Sequence, residues 1–455
     1  MRTRFTWIAA VLVLLSIGFV MACSTKYSHS SNGLLVVPSR DSQVMQTFSI
    51  DLSNGHVQQI NNVNGPPVTG LPSSVILDPA GTYAYVSTTV DCTPTNPVAN
   101  TSLTAVQGAI LAYKINSDGT LATGNAPVFL PGNPAYPSTF PPCGLDDASN
   151  PNGGNQAAGM TMDSAGKFLF VAMAQGSAIY TTNTNVTPPT ETTVTLPSLG
   201  IAVYSIGANA SLSPVPGSPF AVPASAGQPA TPSALALTST AFPALYAPCS
   251  SQTAPATENL YVTDSVNNML FNYMVSSSGS LSLVPTGTNP IATGTVPSGV
   301  AVDPCDRFVY VTNMSNNNVS AYTICSAINL TAQPPCLNAD FSLNPVQGSP
   351  FGAADLPGPI AVDAYASYVY VVDTGSSQIT GFRISAGNGS LASFTTVATN
   401  SGPNSIAIRS DDSWLFVANN TSNNVSEFGI TPASGALTLQ TATTTLNYPS
   451  GVAVK

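Results

Sequence analysis

Residues Pro297–Ile324, PSGVAVDPCDRFVYVTNMSNNNVSAYTI, contain the sequence pattern that is most informative about the fold. An apolar run ends at Asp303, a second run follows at Phe308–Val311, and a third follows an Asn-rich turn at Val319–Ile324. Short runs rich in β-branched and aromatic residues, bounded by Asp, Pro, Asn and Ser, are typical of antiparallel strands joined by tight turns. The stretch therefore predicts three consecutive strands of one sheet.

The same pattern recurs along the whole chain. Its first strand has seven copies, at Pro72–Asp78, Ala157–Asp163, Pro232–Thr238, Pro297–Asp303, Pro357–Asp363, Pro403–Arg409 and Pro449–Lys455. Four strands repeated at roughly 40 to 50 residues predict a β-propeller. The folded part begins with a second-type strand, Leu34–Val37, so the seventh copy would complete blade 1. We predict an all-β, seven-bladed β-propeller of four-stranded antiparallel blades over residues 33–455, closed by the C-terminal strand joining blade 1.

One repeated motif resembles a known family. Tyr310-Val311-Thr312-Asn313, followed by Asn318-Val319, resembles the YVTN repeat of surface-layer and lactonase-like seven-bladed propellers. Related copies stand at Tyr261–Asp264, Tyr370–Asp373 and Phe416–Asn419. The resemblance covers nearly all of the mature chain and implies the same fold. It implies no single activity, because related repeats occur in enzymes, in binding proteins and in proteins of unknown role.

Residues 1–23 are typical of an export signal. Arg2 and Arg4 precede the apolar run Trp7–Leu15, and Val20–Cys23 resembles a bacterial lipobox. The resemblance implies that Cys23 is lipidated and anchors the protein in a membrane, with Ser24 favouring the outer membrane or cell surface and a periplasm-facing position left open. A plain signal peptide without lipidation, or an uncleaved anchor, is the alternative. Residues 24–32 are predicted to be a flexible tether.

Composition argues against several classes of function. The net charge is −10 and charged residues make up 7% of the chain, whereas phosphate binding needs clustered Lys and Arg, so no nucleic-acid partner is expected. The two histidines, His29 and His56, fall in the tether and in a turn, and both are predicted to be surface residues. Metalloprotease, nucleophile-elbow and Walker motifs are absent from the sequence. We therefore predict no cofactor and assign no catalytic residue.

Aspartates recur at the end of the first strand. Four copies carry one, Asp78, Asp163, Asp303 and Asp363. Each opens a turn in which Asp accepts backbone N–H groups, and we favour that role over the alternative, a ring of carboxylates that holds Ca²⁺. No metal site is therefore predicted. Arg409 and Lys455 take the same position in blades 7 and 1, and are predicted to pair with Asp363 and Asp78.

Six cysteines follow Cys23, and in an exported chain an even number favours disulfides. Connections between strands 1 and 2, and 3 and 4, emerge on one face of a propeller, and the remaining connections emerge on the other. Face assignment pairs Cys92 with Cys143 and leaves three arrangements for the other four. Among these, we predict Cys249–Cys305 and Cys325–Cys336, because the latter closes the shortest loop.

Three long insertions project from blades 2 and 3, on the face that carries the connections between strands 2 and 3 and between blades. They are Ser87–Gln107, Leu130–Gln156 and Gln175–Leu199. Loops of this length are usually either functional or disordered, and both interpretations remain open. The candidate ligand-facing residues in these insertions are Asp91, Tyr136, Phe140, Asp146, Asp147, Tyr180 and Glu191.

The neutral, hydroxyl-rich and amide-rich insertions favour a polar partner, such as a glycan or an extended peptide, over a phosphate. The sequence thus predicts a lipid-anchored cell-envelope module that binds or scaffolds a glycan or protein. The alternatives are a lactonase-like hydrolase acting on a sugar lactone and a structural surface-layer protein. An enzyme needs ionisable groups at the channel mouth, where the repeat turns offer mainly Ser73, Ser74, Ser233, Ser298, Asn404, Ser405 and Ser450.

Overall fold

Seven antiparallel sheets form the described part of this computed structural model. The structure describes residues 32–60, 65–91, 101–131, 156–174, 176–182, 190–196, 198, 200–225, 227–239, 257–285, 287–326, 336 and 339–455. Helical structure in these ranges is limited to short 3-10 turns, such as Ala208–Ala210 and Met314–Asn316, and no described helix is long and apolar enough to cross a membrane.

Each sheet is built on one blade. In blades 2 to 7 the strands of the blade follow sequence order from the channel outward, whereas the inner strand of blade 1 comes from the C-terminal end of the chain. The strands of the first three blades are β1 (Asn32–Ser39), β2 (Val44–Asp51) and β3 (Val57–Gln59); β4 (Leu71–Leu77), β5 (Tyr83–Asp91), β6 (Thr101–Lys114) and β7 (Val128–Phe129); and β8 (Gln156–Met162), β9 (Phe168–Ala174), β12 (Gly200–Ile206) and β13 (Leu212–Pro214). An inserted hairpin interrupts blade 3 with β10 (Gly176–Thr182) and β11 (Thr190–Leu196).

The remaining blades keep the same order, although blades 4 and 5 divide the outer strand into two pieces. Their strands are β14 (Pro232–Leu237), β15 (Asn259–Asp264), β16 (Met269–Val275), β17 (Leu281–Leu283) and β18 (Ile291–Ala292); β19 (Pro297–Val302), β20 (Phe308–Asn313), β21 (Asn318–Ile324), β22 (Leu343–Pro345) and β23 (Phe351–Gly352); β24 (Pro357–Val362), β25 (Tyr368–Asp373), β26 (Gln378–Ile384) and β27 (Leu391–Ala398); and β28 (Pro403–Ile408), β29 (Trp414–Asn419), β30 (Asn424–Ile430) and β31 (Leu437–Thr444).

The C-terminal strand β32 (Ala453–Val454) closes the ring as the inner strand of blade 1. It runs antiparallel to β1, with Ala453 opposite Val36. The N–H of Leu34 donates to the carbonyl of Lys455 at 3.2 Å, and the N–H of Lys455 donates to the carbonyl of Leu34 at 2.9 Å. The inner strands contact one another all the way round, in the order β4, β8, β14, β19, β24, β28 and β32. The predicted seven-bladed propeller and its closure are confirmed.

The hydrophobic core is divided among the interfaces between blades. Within the described residues, each of the seven interfaces holds one apolar cluster. Alternate side chains of one strand point to the two neighbouring blades. In β1, Leu34 and Val36 pack towards blade 2, while Leu35 and Val37 pack towards blade 7. Because both faces of these strands are buried, their sequences are continuously apolar.

Contacts between an aromatic ring and a glycine repeat at these interfaces. The ring of Tyr368 in blade 6 lies so close to Gly435 in blade 7 that a β-carbon there would be 2.5 Å from it. Gly435 also has a left-handed backbone, φ +70°, and its carbonyl accepts the hydroxyl of Tyr370 at 2.8 Å. Phe308 and Gly389 repeat the contact between blades 5 and 6. Glycine is therefore required for both the turn and the packing.

The insertions of blades 2 and 3 join in one sheet. Strand β10 pairs antiparallel with the N-terminal half of β6 and also with β11, which gives the order β11-β10-β6-β5-β4. The prediction of loops was therefore wrong for residues 87–91, 101–107, 176–182 and 190–196, which lie in strands. The many Thr residues of β10 and β11 have high strand propensity and could have indicated the hairpin. The pairing of this hairpin with β6 of blade 2 is a contact between distant parts of the sequence, which strand propensity does not indicate.

Candidate functional site

We call the propeller face with the turns between strands 2 and 3, and with the connections between blades, the insertion face. Asn313, the last residue of the YVTN motif, lies at this face and is 0% exposed. Its amide donates to the side chains of Asn318 at 2.7 Å and Ser320 at 2.9 Å, and its carbonyl oxygen accepts the N–H of Gly294 at 2.9 Å. Asn419 makes equivalent bonds to Asn424 and Ser426 in blade 7. The motif's asparagine thus fixes the turns, and its role here is structural.

The opposite face, which we call the Asp-turn face, carries the four repeated aspartates. One carboxylate oxygen of Asp303 accepts the N–H groups of Arg307 at 2.5 Å and Phe308 at 2.9 Å. Asp78, Asp163 and Asp363 accept the same pair of N–H groups in their own blades. The predicted turn role is confirmed. Within the described ranges, no three His, Cys, Asp or Glu side chains lie close enough together to hold a metal ion.

A second set of acids on the Asp-turn face connects neighbouring blades, and the sequence analysis missed it. Asp306 of blade 5 accepts the N–H of Ser239 in blade 4 at 3.1 Å, and Asp412 of blade 7 accepts the N–H of Ala364 in blade 6 at 2.8 Å. Burial raises the pKa of Asp306 to about 8, against the lowering effect of its hydrogen bond from Ser239. Burial likewise raises the pKa of Asp363 to about 7. These carboxyls stabilise the ring rather than form an open site.

The predicted pairing of the two cations on the Asp-turn face was wrong. Arg409 pairs with Asp411, which lies two residues further along its own turn, rather than with Asp363. The ammonium of Lys455 reaches blade 2 but donates to the carbonyls of Ala80 at 2.8 Å and Gly81 at 3.3 Å, rather than to the Asp78 carboxylate. That carboxylate is occupied by N–H and hydroxyl donors of its own turn, which explains the difference.

The predicted disulfide between Cys325 and Cys336 is confirmed, with their α-carbons 5.1 Å apart. Cys305 is also disulfide-bonded, and its predicted partner Cys249 lies outside the described residues. Cys23, Cys92 and Cys143 lie outside them as well.

The candidate ligand-facing residues lie mostly outside the described part of the chain. Four of them fall there, namely Tyr136, Phe140, Asp146 and Asp147. The backbones of the other three lie on strands, with Asp91 opposite Val106, Tyr180 opposite Leu103 and Glu191 opposite Thr181. Asp91, Tyr180 and Glu191 therefore belong to the one sheet that blades 2 and 3 build on the insertion face.

A cavity of ≈ 510 Å³ lies at the channel mouth on the insertion face. It is lined by residues at the starts of inner strands and in adjacent turns of blades 7, 1, 2 and 3, namely Arg40, Leu71, Pro72, Ser73, Thr89, Gln156, Asn404, Asn420, Tyr448 and Ser450. Thr89 belongs to β5, a strand of the sheet that also contains β10 and β11, so the cavity and this sheet share a wall. The volume is within the range of small-molecule sites, about 300–1,000 Å³.

The chemistry of this cavity is polar and nearly neutral. Amides and hydroxyls dominate the described lining, and the guanidinium carbon of Arg40 lies 5.1 Å from the centre of the Tyr448 ring. The side-chain carbonyl oxygen of Asn404 is buried and has no hydrogen-bond partner among the described residues, while the amide nitrogen of the same side chain donates to the carbonyl of Pro449 at 3.1 Å. Of the residues that sequence reasoning placed at the channel mouth, three line this cavity, namely Ser73, Asn404 and Ser450. Four others are not in its described lining, namely Ser74, Ser233, Ser298 and Ser405. Sequence reasoning missed Arg40 and Tyr448.

Comparison with known proteins supports this fold. Residues 337–455 match the model of a family described as "Lactonase, 7-bladed beta-propeller". The last two blades resemble lactonase propellers. No curated protein sequence matches the chain.

Three solved structures share the fold over nearly their whole length. The periplasmic gluconolactonase of Pseudomonas aeruginosa is 16% identical, with 93% of this chain and 99% of that chain covered and a TM-score of 0.62. A protein from Lactobacillus plantarum is 14% identical, with 93% and 99% covered and a TM-score of 0.59. A functionally unknown protein from Desulfotomaculum acetoxidans is 15% identical, with 93% and 98% covered and a TM-score of 0.55. At these identities, the likeness concerns the fold alone.

Proposed function

We propose that this chain is a binding module of the cell envelope that holds a polar, hydroxylated ligand of the glycan class at the channel mouth. The observation that carries this proposal is the cavity of ≈ 510 Å³ on the insertion face, with its lining of amides, hydroxyls and one tyrosine. Such groups donate and accept hydrogen bonds without charge, and an aromatic face is the usual apolar support for a sugar ring. The inserted sheet of blades 2 and 3 extends the wall of this cavity.

We further propose that the protein is exported and anchored through a lipid on Cys23, in the outer membrane or at the cell surface. The signal-like segment and its lipobox support export. The disulfide between Cys325 and Cys336 adds independent support, because such bonds persist in oxidising compartments outside the cytoplasm.

Hydrolysis of a sugar lactone is the second candidate, favoured by the family match over residues 337–455. Lactone hydrolysis needs a group that activates water, usually a carboxylate or a histidine. The described lining of the cavity contains neither. Asp264 and Asp373 end second strands at the same face, but both are 0% exposed and bonded to neighbouring donors, Asn267 and Thr380 among them. The geometry therefore favours binding.

A combined screen separates the two candidates. Full-length protein is titrated calorimetrically with a panel of neutral and acidic saccharides, and glucono-1,5-lactone hydrolysis is followed in a pH-stat against a protein-free control. We expect saturable saccharide binding and hydrolysis at the background rate. Turnover that rises in proportion to protein concentration would instead establish the hydrolase, and the absence of binding to every saccharide would refute the binding proposal.

A further inference from the structure

Arg40 is the one charged residue in the described lining of the cavity, and its repeat position shows that the fold does not require it. Its N–H donates to the carbonyl of Tyr448 at 2.8 Å, which joins the turn after the second strand to the connection that leads into the inner strand. The same bond forms in four other blades, from Ser265 to Thr231 at 3.1 Å, from Met314 to Val296 at 2.9 Å, from Thr374 to Leu356 at 3.0 Å and from Asn420 to Gly402 at 2.8 Å.

The comparison between blades shows that this turn depends on a backbone hydrogen bond and not on the side chains of the two residues that form it. Small polar and apolar residues support this turn equally well elsewhere, so neither an arginine nor a tyrosine is needed to form it. Blade 1 alone among these five combines a cation with an aromatic ring, and it does so where the cavity opens. Departures from a repeat that contribute nothing to the fold are expected at functional positions.

The guanidinium of Arg40 packs against an aromatic ring, but no carboxylate of the described residues neutralises its charge. Its contact with the Tyr448 ring is within the distance of a cation–π interaction, about 6 Å, and uses none of its N–H donors. The ion pairs among the described residues are Arg307 with Asp303 and Arg409 with Asp411, so Arg40 has no carboxylate partner there, including its neighbour Asp41. The chain has 20 acidic and only 10 basic residues, so an exposed arginine without a carboxylate partner is unusual in it. In a polar cavity, the positive charge of Arg40 can attract an anion.

We propose that Arg40 binds a carboxylate of the ligand, and hence that the ligand at the channel mouth is an acidic saccharide, a uronate. This inference rests on the proposed glycan-binding function. A planar guanidinium forms two parallel N–H···O bonds with a carboxylate, and its single charge matches a single negative charge. A phosphate monoester carries nearly two negative charges at neutral pH and would leave one of them uncompensated here. The hydroxyls and amides of the lining then receive the sugar hydroxyls.

The test compares the affinities of four ligands, and it compares substitutions of Arg40 with a substitution of Arg383. Full-length protein is titrated calorimetrically with glucose, glucuronate, glucose 6-phosphate and an oligogalacturonate. The variant Arg40→Gln removes the charge, and Arg40→Lys keeps the charge without the paired donors. Arg383→Gln is the matched control, because Arg383 is also exposed and lies 5.8 Å from the ring of Tyr368, on strand β26 and away from the cavity. Circular dichroism checks that each variant is folded.

We expect wild-type protein to bind glucuronate at least about 10-fold more tightly than glucose, and more tightly than glucose 6-phosphate. Arg40→Gln should abolish that preference, Arg40→Lys should keep part of it, and Arg383→Gln should keep all of it. Raising the salt concentration should weaken glucuronate binding but not glucose binding, a readout on wild-type protein alone. Tighter binding of oligogalacturonate than of glucuronate would assign the carboxylate to a polysaccharide, and the reverse to a free sugar acid; both support the inference.

Three results would overturn this inference, and only the last of them also rejects glycan binding. If glucose binds and glucuronate binds no more tightly, or if Arg40→Gln and Arg383→Gln have the same effect, the carboxylate assignment is wrong while glycan binding stands. If neither sugar binds, the proposed function fails and this inference fails with it.

Discussion

Three glycine substitutions measure how much the contacts between blades contribute to stability. Gly387 has an ordinary backbone and open space where a β-carbon would be placed, so Gly387→Ala should change the free energy of unfolding by less than about 1 kcal/mol. Gly227 also faces open space but has φ +78°, so Gly227→Ala should cost about 1–2 kcal/mol for the left-handed backbone alone. Gly435 combines φ +70° with a β-carbon position 2.5 Å from the Tyr368 ring.

Gly435→Ala should therefore cost the backbone term plus about 1–3 kcal/mol for overpacking at the interface of blades 6 and 7, roughly 2–5 kcal/mol in total. Urea unfolding followed by circular dichroism at 25 °C gives the midpoint and slope for each variant. The urea midpoint should be highest for Gly387→Ala, lower for Gly227→Ala and lowest for Gly435→Ala. Equal midpoints for the last two variants would show that the ring of Tyr368 yields freely, and would refute the idea that aromatic rings and glycines fix the spacing of the blades.

Three further outcomes are expected. Deleting Pro449–Lys455 removes the inner strand of blade 1 and leaves the edge of β1 unpaired, so the protein should aggregate or lose its cooperative unfolding transition; an unchanged transition would contradict closure by β32. The raised pKa values of Asp306, about 8, and Asp363, about 7, mean that the folded protein retains protons that the unfolded chain releases near pH 4, so stability should fall as pH rises from about 4 to 8. The variant Asp306→Asn should flatten this decline in urea titrations, and a slope as steep as that of the parent would exclude Asp306 as its source. Cys23→Ser should leave the protein unacylated and move it out of the membrane fraction, whereas a wild-type mature N-terminus that mass spectrometry finds unmodified would rule out the anchor.

Local signals explain what the sequence could predict. The aspartate turns, the strand order and the Cys325–Cys336 bond depend on residues within one blade, and the repeat presents each signal several times. Ring closure was predictable because the incomplete repeats at the two ends of the folded region complement each other.

Contacts between distant parts of the chain were not predictable in this way. The pairing of β10 with β6 crosses from blade 3 to blade 2, and Arg40 meets Tyr448 only because the ring brings the two ends of the chain together. The pairing of Arg409 with Asp363 failed for a different reason, since Asp411 lies two residues away and needs no ordering of a second turn. Residues of the channel mouth come from four blades, so their convergence follows from the closed ring and not from any one motif.

Blocking the channel mouth with a bulky side chain and measuring ligand binding shows whether the ligand is held there. Asn420 lines the cavity, and Thr374 holds the same repeat position in blade 6 outside the described lining, so Asn420→Trp and Thr374→Trp place the same bulk inside and outside the site. Saturation-transfer NMR with the saccharide that binds best should show loss of signal for Asn420→Trp and an unchanged signal for Thr374→Trp. Undiminished binding by folded Asn420→Trp would contradict the account and place the working surface elsewhere on the propeller.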